Sequence, residues 1–355
     1  MHTNIREGDL EDPMSHRCFA VMLTVTVLVL LFALPAVAQT QAAASAPPRT
    51  AAGQPDLQGV WDFRTITPLE RPAALADRET LTDEEIAELE LQAANRKIFD
   101  GPAREGDVGA YNDFWLDLGT NVVDTRRTSL IVDPPDGRLP ALTPTARRQA
   151  GSLATDLPGE RPVRYRAGGI GADGPEDRGV GVRCILGFNS GPPMMPSGYN
   201  NNMQLFQTSS HVVVLNEMVH DARIIPLDGR PHLPDDVRQW NGDSRGHCDG
   251  DTLIVETTNF TDKTAGYNDS IFSAIGTGAT LHLTERFSRI DANTLLYEYT
   301  VKDPTSFTRP FTVALPMRRN EGQIFEYACH EGNYGMFGIL EGGRADDRKA
   351  ASVLR

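Results

Sequence analysis

Two carboxylates in this chain fall on strand faces that are otherwise apolar. Alternation along LHLTERF places Leu281, Leu283 and Phe287 on one face, and Glu285 shares it, while His282, Thr284 and Arg286 point the other way. In IFEYACHEG the face of Phe325, Tyr327 and Cys329 continues into Glu331. A buried carboxylate needs a partner or a raised pKa, and such surroundings suit general acid or base work. Glu285 and Glu331 are therefore candidate bases, with His220, His247 or His282 as the acid. Arg223 and Arg245 would hold an anionic or carbonyl group. Asp243, Asn333 and Tyr334 complete the candidate binding set. Lyase, isomerase or hydratase chemistry fits, because none of these needs a nucleophile, and no cofactor is expected. The plainer alternative for each Glu is a structural ion pair with Arg223, Arg245 or Arg286.

Other chemistries have less support. There is no H-x-H, H-E-x-x-H or C-x-x-C spacing, so no metal site is expected. Ser244 lacks the G-x-S-x-G elbow, and the glycines of GDSRGH do not match a phosphate loop. Cys248, beside His247, reads as a stray thiol. His211 and His232 read as surface or loop residues.

These residues need elements to hold them, and the elements are mostly strands. MQLFQT, HVVVLNE and ARIIPLDG read as a hairpin and a third strand. Thr252–Asn259, Ala279–Arg289, Thr294–Val301, Phe311–Arg318 and Ile324–His330 follow at short spacing with no helix between them. That pattern implies a mainly β fold, an antiparallel meander forming a barrel or sandwich with one or two peripheral helices. GDSRGHCDGD reads as a Gly-rich loop presenting Asp243, Arg245 and His247 to the site. Thr82-Asp83-Glu84-Glu85 is a capping box, and Ile86, Leu89 and Ala93 extend a helix over 83–97. RTSLIVDPPDGRLPAL reads as a strand, a turn and a return, and Thr143-Pro144 opens a second helix.

Arg17, the apolar run Phe19–Leu34 and the small residues ending at Ala38 read as a secretory signal peptide over 1–38. Residues 39–54 form an Ala/Pro/Ser-rich tether. A single β-rich domain spans 55–345, with helical and irregular insertions at about 82–97 and 143–182, and 346–355 is a tail. Export to the periplasm or beyond leaves Cys184, Cys248 and Cys329 in a compartment that permits disulfides. Cys184–Cys329 is the expected bridge, since Cys248 sits in the Gly-rich stretch. No segment after the signal approaches a membrane span. The net charge of −14 argues against nucleic acid or an anionic membrane surface as partner.

The Gly59-Val60-Trp61 entry resembles the first strand of lipocalin-like barrels. The blocks YNDFW, RTSLIVDPPDGRLP, YNNNMQ, NEMVHDARIIPLDGRPH, GDSRG, GDTLIVETTNF, LTERFSR and EYACHEGNY resemble a widespread group of secreted bacterial proteins of unassigned function. The resemblance implies export and a calycin-like β-rich body. Where relatives of that kind carry Trp, this chain has Cys248, which speaks against a shared catalytic role there. Three functions follow: a β-barrel binding a small, largely apolar molecule in a cavity with a polar His/Glu/Arg cluster, a cofactor-free acid–base enzyme using that cluster, or an envelope interaction protein docking through its helix and the 151–182 segment.

Overall fold

A strand that buries one face shows apolar residues at every second position, and the burial of most strands here follows that period. The computed structural model describes residues 48–97, 113–146, 174–178, 180–261 and 279–353, all within one compact unit, Ala46–Arg355. The proposed signal peptide lies outside the described residues. Of the tether, residues 48–54 make a turn, in which the Arg49 side chain donates to the Gly53 carbonyl and pairs with Asp251.

Ten strands form one antiparallel sheet: β1 (Gly59–Asp62), β2 (Ile131–Asp133), β3 (Asn202–Gln207), β4 (His211–Asn216), β5 (Ala222–Pro226), β6 (Asp243–Asp249), β7 (Thr252–Thr258), β8 (His282–Arg289), β9 (Thr294–Lys302) and β10 (Phe311–Asn320). Their order is β5-β4-β3-β1-β10-β9-β8-β7-β6, with β2 also on β10. β3 to β5 and β6 to β10 are two meanders, as expected, and β1 joins them by lying between β3 and β10.

The sheet is rolled. Arg223 on β5 pairs with Glu285 on β8, although six ladders separate those strands. In a flat sheet that is about 29 Å. The end strands also meet: a Cβ on Gly246 of β6 would lie 2.8 Å from Leu227 and 3.0 Å from Ile225. Glycine is what lets β6 approach so closely. Among the described residues no ladder joins β5 to β6, so the sheet is not closed. Its concave side carries one continuous core, to which Trp61, Val214, Ile225, Leu253, Phe287 and Leu315 all belong. The Trp61 ring donates to the Leu57 carbonyl at 2.9 Å, and the Arg289 guanidinium lies 5.6 Å from its centroid.

Pro316 sits inside the ten-residue β10, where a proline normally breaks a ladder. Ala314 donates to Leu130 beside β2, and Arg318 is in register with Asp62 of β1. Pro316 falls between these two, in the gap where no neighbour asks for its N–H.

Three local expectations change. Asp243–Asp249 is a strand rather than a loop, paired over seven residues with β7. Its alternation is hidden because Asp243, Ser244 and Gly246 occupy the buried positions. Ile324–His330 is not a strand, despite its alternation. The segment is tied instead by Phe325 and Tyr327 amides to Glu217 and by the Cys184–Cys329 bridge. The tail is helical. Helix α1 (Asp83–Ala94) begins at the expected Thr82 capping box and ends three residues early, where Asn95 turns out and caps Leu91. Helix α2 (Tyr334–Val353) runs through four glycines that lower its helical propensity, and it buries no residue.

Among the described residues no helix is long and apolar enough to cross a membrane.

Candidate functional site

Glu285 takes its place on the interior face by the alternation already described, and it is fully buried. Arg223, at alternate spacing with Ile225, projects into the same interior from β5. Its guanidinium grips both carboxylate oxygens in a bidentate pair, with Nη2 2.9 Å from Oε1. The Tyr297 hydroxyl, from β9, donates to Oε1 at 2.7 Å and accepts from the Met194 amide at 3.2 Å. Met194 arrives on an irregular segment, residues 186–195, that is buried throughout, and Met194 and Met195 join the core. Burial acts to lower the Arg223 pKa, but the Glu285 carboxylate outweighs it and holds the guanidinium charged. Among the described ion pairs this is the one with both side chains out of solvent.

Glu285 is therefore satisfied. Both oxygens are taken by fixed donors, which is the geometry of a structural ion pair. Of the three arginines considered as partner, Arg223 fills the role. Arg286 points outward from β8, and Arg245 is committed elsewhere.

Burial raises the Tyr297 phenol pKa well above its usual value, and the adjacent Glu285 carboxylate adds to it. Burial alone raises that of Tyr299, whose hydroxyl has no hydrogen-bond partner among the described residues. Both folded values lie above the unfolded value of about 10. Their contribution to stability is thus complete below pH ~10 and is lost as pH rises toward the folded values, by up to about 1.4 kcal/mol per pH unit for each group. The urea midpoint should decline above pH ~10, and Tyr299→Phe, which removes only an orphan hydroxyl, should decline less steeply. Parallel declines in the two proteins would refute this.

The other candidates do not join Glu285. Glu331 is exposed in the turn before α2. His247 is exposed on the outer face of β6, and His282 faces away from Glu285 on β8. His220 lies in an exposed turn where Nδ1 meets the Tyr327 carbonyl at 3.2 Å. Its neighbour Val219 has φ 62°, a left-handed conformation costly for a β-branched residue. Asn333 donates to the Val182 carbonyl at 2.9 Å and accepts from the Met336 amide, so it caps α2. Tyr334 is 82% exposed.

Asp243 and Arg245 do come together, in a second cluster. The buried Asp243 carboxylate accepts from Arg245 Nη1 at 2.6 Å and from the Leu233 amide at 3.0 Å, and it contacts His232 Nδ1 at 3.0 Å. His232, read from sequence as a loop residue, thus belongs to this cluster. Only its position between two prolines, Pro231 and Pro234, hinted that the loop is fixed. Among the described residues Cys248 is the free thiol, its pKa raised by partial burial. No group of three potential metal ligands occurs among the described residues.

Open space lies beside helix α1. Helix α1 is held over segment 120–123 by Glu90, whose carboxylate accepts from the Val122 amide at 3.1 Å and from the Asn121 side chain at 3.3 Å. Beside that contact is a groove of about 630 Å³, walled by Ile66, Pro68, Leu75, Leu81, Leu89 and Val122. A more polar pocket of about 310 Å³ adjoins it and shares Ala93, Arg96 and Val122, with Asp62, Arg64, Asp117 and Arg318 on its far walls.

No protein-family model, curated protein or solved structure matches the chain. Its function is therefore argued from this geometry alone.

Proposed function

We propose that this chain is an exported protein, rolled on a calycin-like β-barrel plan, that binds a small, largely apolar molecule in the groove beneath α1. The observation that carries the reading is the groove itself. A concave site of about 630 Å³ lined mainly by aliphatic side chains falls within the range of small-molecule sites, about 300–1,000 Å³. The Cys184–Cys329 bridge suits an oxidising compartment. The acid–base alternative has less support, because Glu285 is saturated with donors and Glu331, His220, His247 and His282 do not line a common pocket with it.

The groove wall offers a direct test. Leu89 stands on α1, 38% exposed, so enlarging it fills the groove without opening the core. Leu89→Trp should weaken binding of the neutral apolar dye Nile red about tenfold or more, a change of about 1.4 kcal/mol. Thermal stability should stay within about 0.5 kcal/mol of wild type, as for other surface substitutions. Dye binding that ignores Leu89→Trp would exclude the groove.

A further inference from the structure

We infer that the groove's occupant is an anionic amphiphile, its apolar body under α1 and its acidic head at Arg96. The inference rests on the groove reading and adds the ligand's charge. Three cations, Arg96, Lys97 and Arg127, line a groove whose other walls are mainly apolar, in a chain of net charge −14. They are not equivalent. Arg127 is already engaged by Glu79 and the Ile131 carbonyl. On the polar side, Arg64 bridges Asp62 and Asp117, and Arg318 pairs with Asp124. Among the described residues the Arg96 side chain makes one neutral contact, to the Gly119 carbonyl at 3.4 Å, and pairs with no carboxylate.

Its location gives the charge a purpose. Arg96 lines both the apolar groove and the polar pocket, at the boundary where an amphiphile changes character. An alkyl chain in the groove removes water from its aliphatic walls. A carboxylate or phosphate head at Arg96 then gains a charge-assisted, bidentate partner, a place that no described residue takes. A neutral head gains less there. A cationic head meets Arg96 as a like charge.

The test compares ligands that share a tail and differ in head. Decanoate, decanol and decyltrimethylammonium are titrated calorimetrically into the full chain at low ionic strength. Decanoate should bind about tenfold more tightly than decanol, which corresponds to one charge-assisted hydrogen-bond pair, and the ammonium most weakly. Arg96→Gln should remove the decanoate advantage and leave decanol unchanged, while Arg96→Lys should keep part of it. Added salt should narrow the gap, since the head is at the surface. Equal binding of decanoate and decanol, both sensitive to Leu89→Trp, would overturn the anionic head and leave the groove standing. A decanoate preference that survives Arg96→Gln would overturn the assignment of Arg96. Binding of none of the three would overturn both.

Discussion

Arg223→Met should lower the stability of this protein by about 3–5 kcal/mol, because it strands a carboxylate in the core. Glu285 has no exposed surface, and without the guanidinium it keeps only the Tyr297 hydroxyl as donor. The comparison that gives this number meaning is Arg223→Met combined with Glu285→Leu. That pair removes both charges together and leaves just the Tyr297 hydroxyl short of an acceptor, at a cost of about 1–3 kcal/mol. The double variant should therefore be more stable than Arg223→Met alone. Urea unfolding at constant m would measure both. If Arg223→Met costs less than about 1 kcal/mol, Glu285 has access to water or to a bound molecule. The acid–base reading would then revive. The variant is sensitive to shape as well, because the pair spans the interior between strands six ladders apart. Breaking it loosens the contact that holds β5 against β8.

The residue faces behind that prediction were legible in the sequence, and the pairing was not. Period-two alternation put Glu285 with Leu283 and Phe287 and turned Arg286 outward, as found. The alternation cannot say that a sheet rolls far enough to bring β5 to β8, because that depends on twist summed over strands absent from either local pattern. The same limit explains Ile324–His330. Its alternation is real, but a strand also needs an edge to pair with, and β10 is already occupied by β9 on one side and by β1 and β2 on the other. β6 failed in the opposite sense: its inward positions are Ser244, Gly246 and Cys248, so its neighbours rather than its hydrophobicity make it a strand. The groove drew Ile66, Leu75, Leu89 and Val122 from four separate stretches, none with a motif. His232 was passed over because its partner, Asp243, lies on the far side of a turn-rich stretch.

Removing the Cys184–Cys329 bridge should have the second largest effect. The bridge spans 145 residues, and the chain-entropy account puts a loop of that length near 5 kcal/mol, at the upper end of what disulfides deliver. A loss of about 3–5 kcal/mol is expected for Cys184→Ser with Cys329→Ser, or a drop in Tm of roughly 6–15 °C. The loss should be uneven. Segment 324–333 belongs to no ladder, and α2 buries no residue. Without the bridge, both depend on the Glu217 contacts to Phe325 and Tyr327, the His220–Tyr327 contact, the packing of Tyr327 on Tyr199 and the Asn333 cap. Hydrogen exchange should rise first across 324–340, well before the strands that carry Glu285 and Tyr297 exchange. A reduced protein that keeps its Tm within about 2 °C and its protection across 324–333 would show that those contacts suffice without the bridge. Cys248→Ser provides the control. Among the described residues that thiol has no disulfide partner, so its removal should change Tm and exchange little, whereas disulfide exchange through Cys248 would give the variant a different response to mild oxidants. The bridge thus takes the role that strand pairing has elsewhere in the fold, holding an alternating segment that follows β10, a strand already paired on both sides.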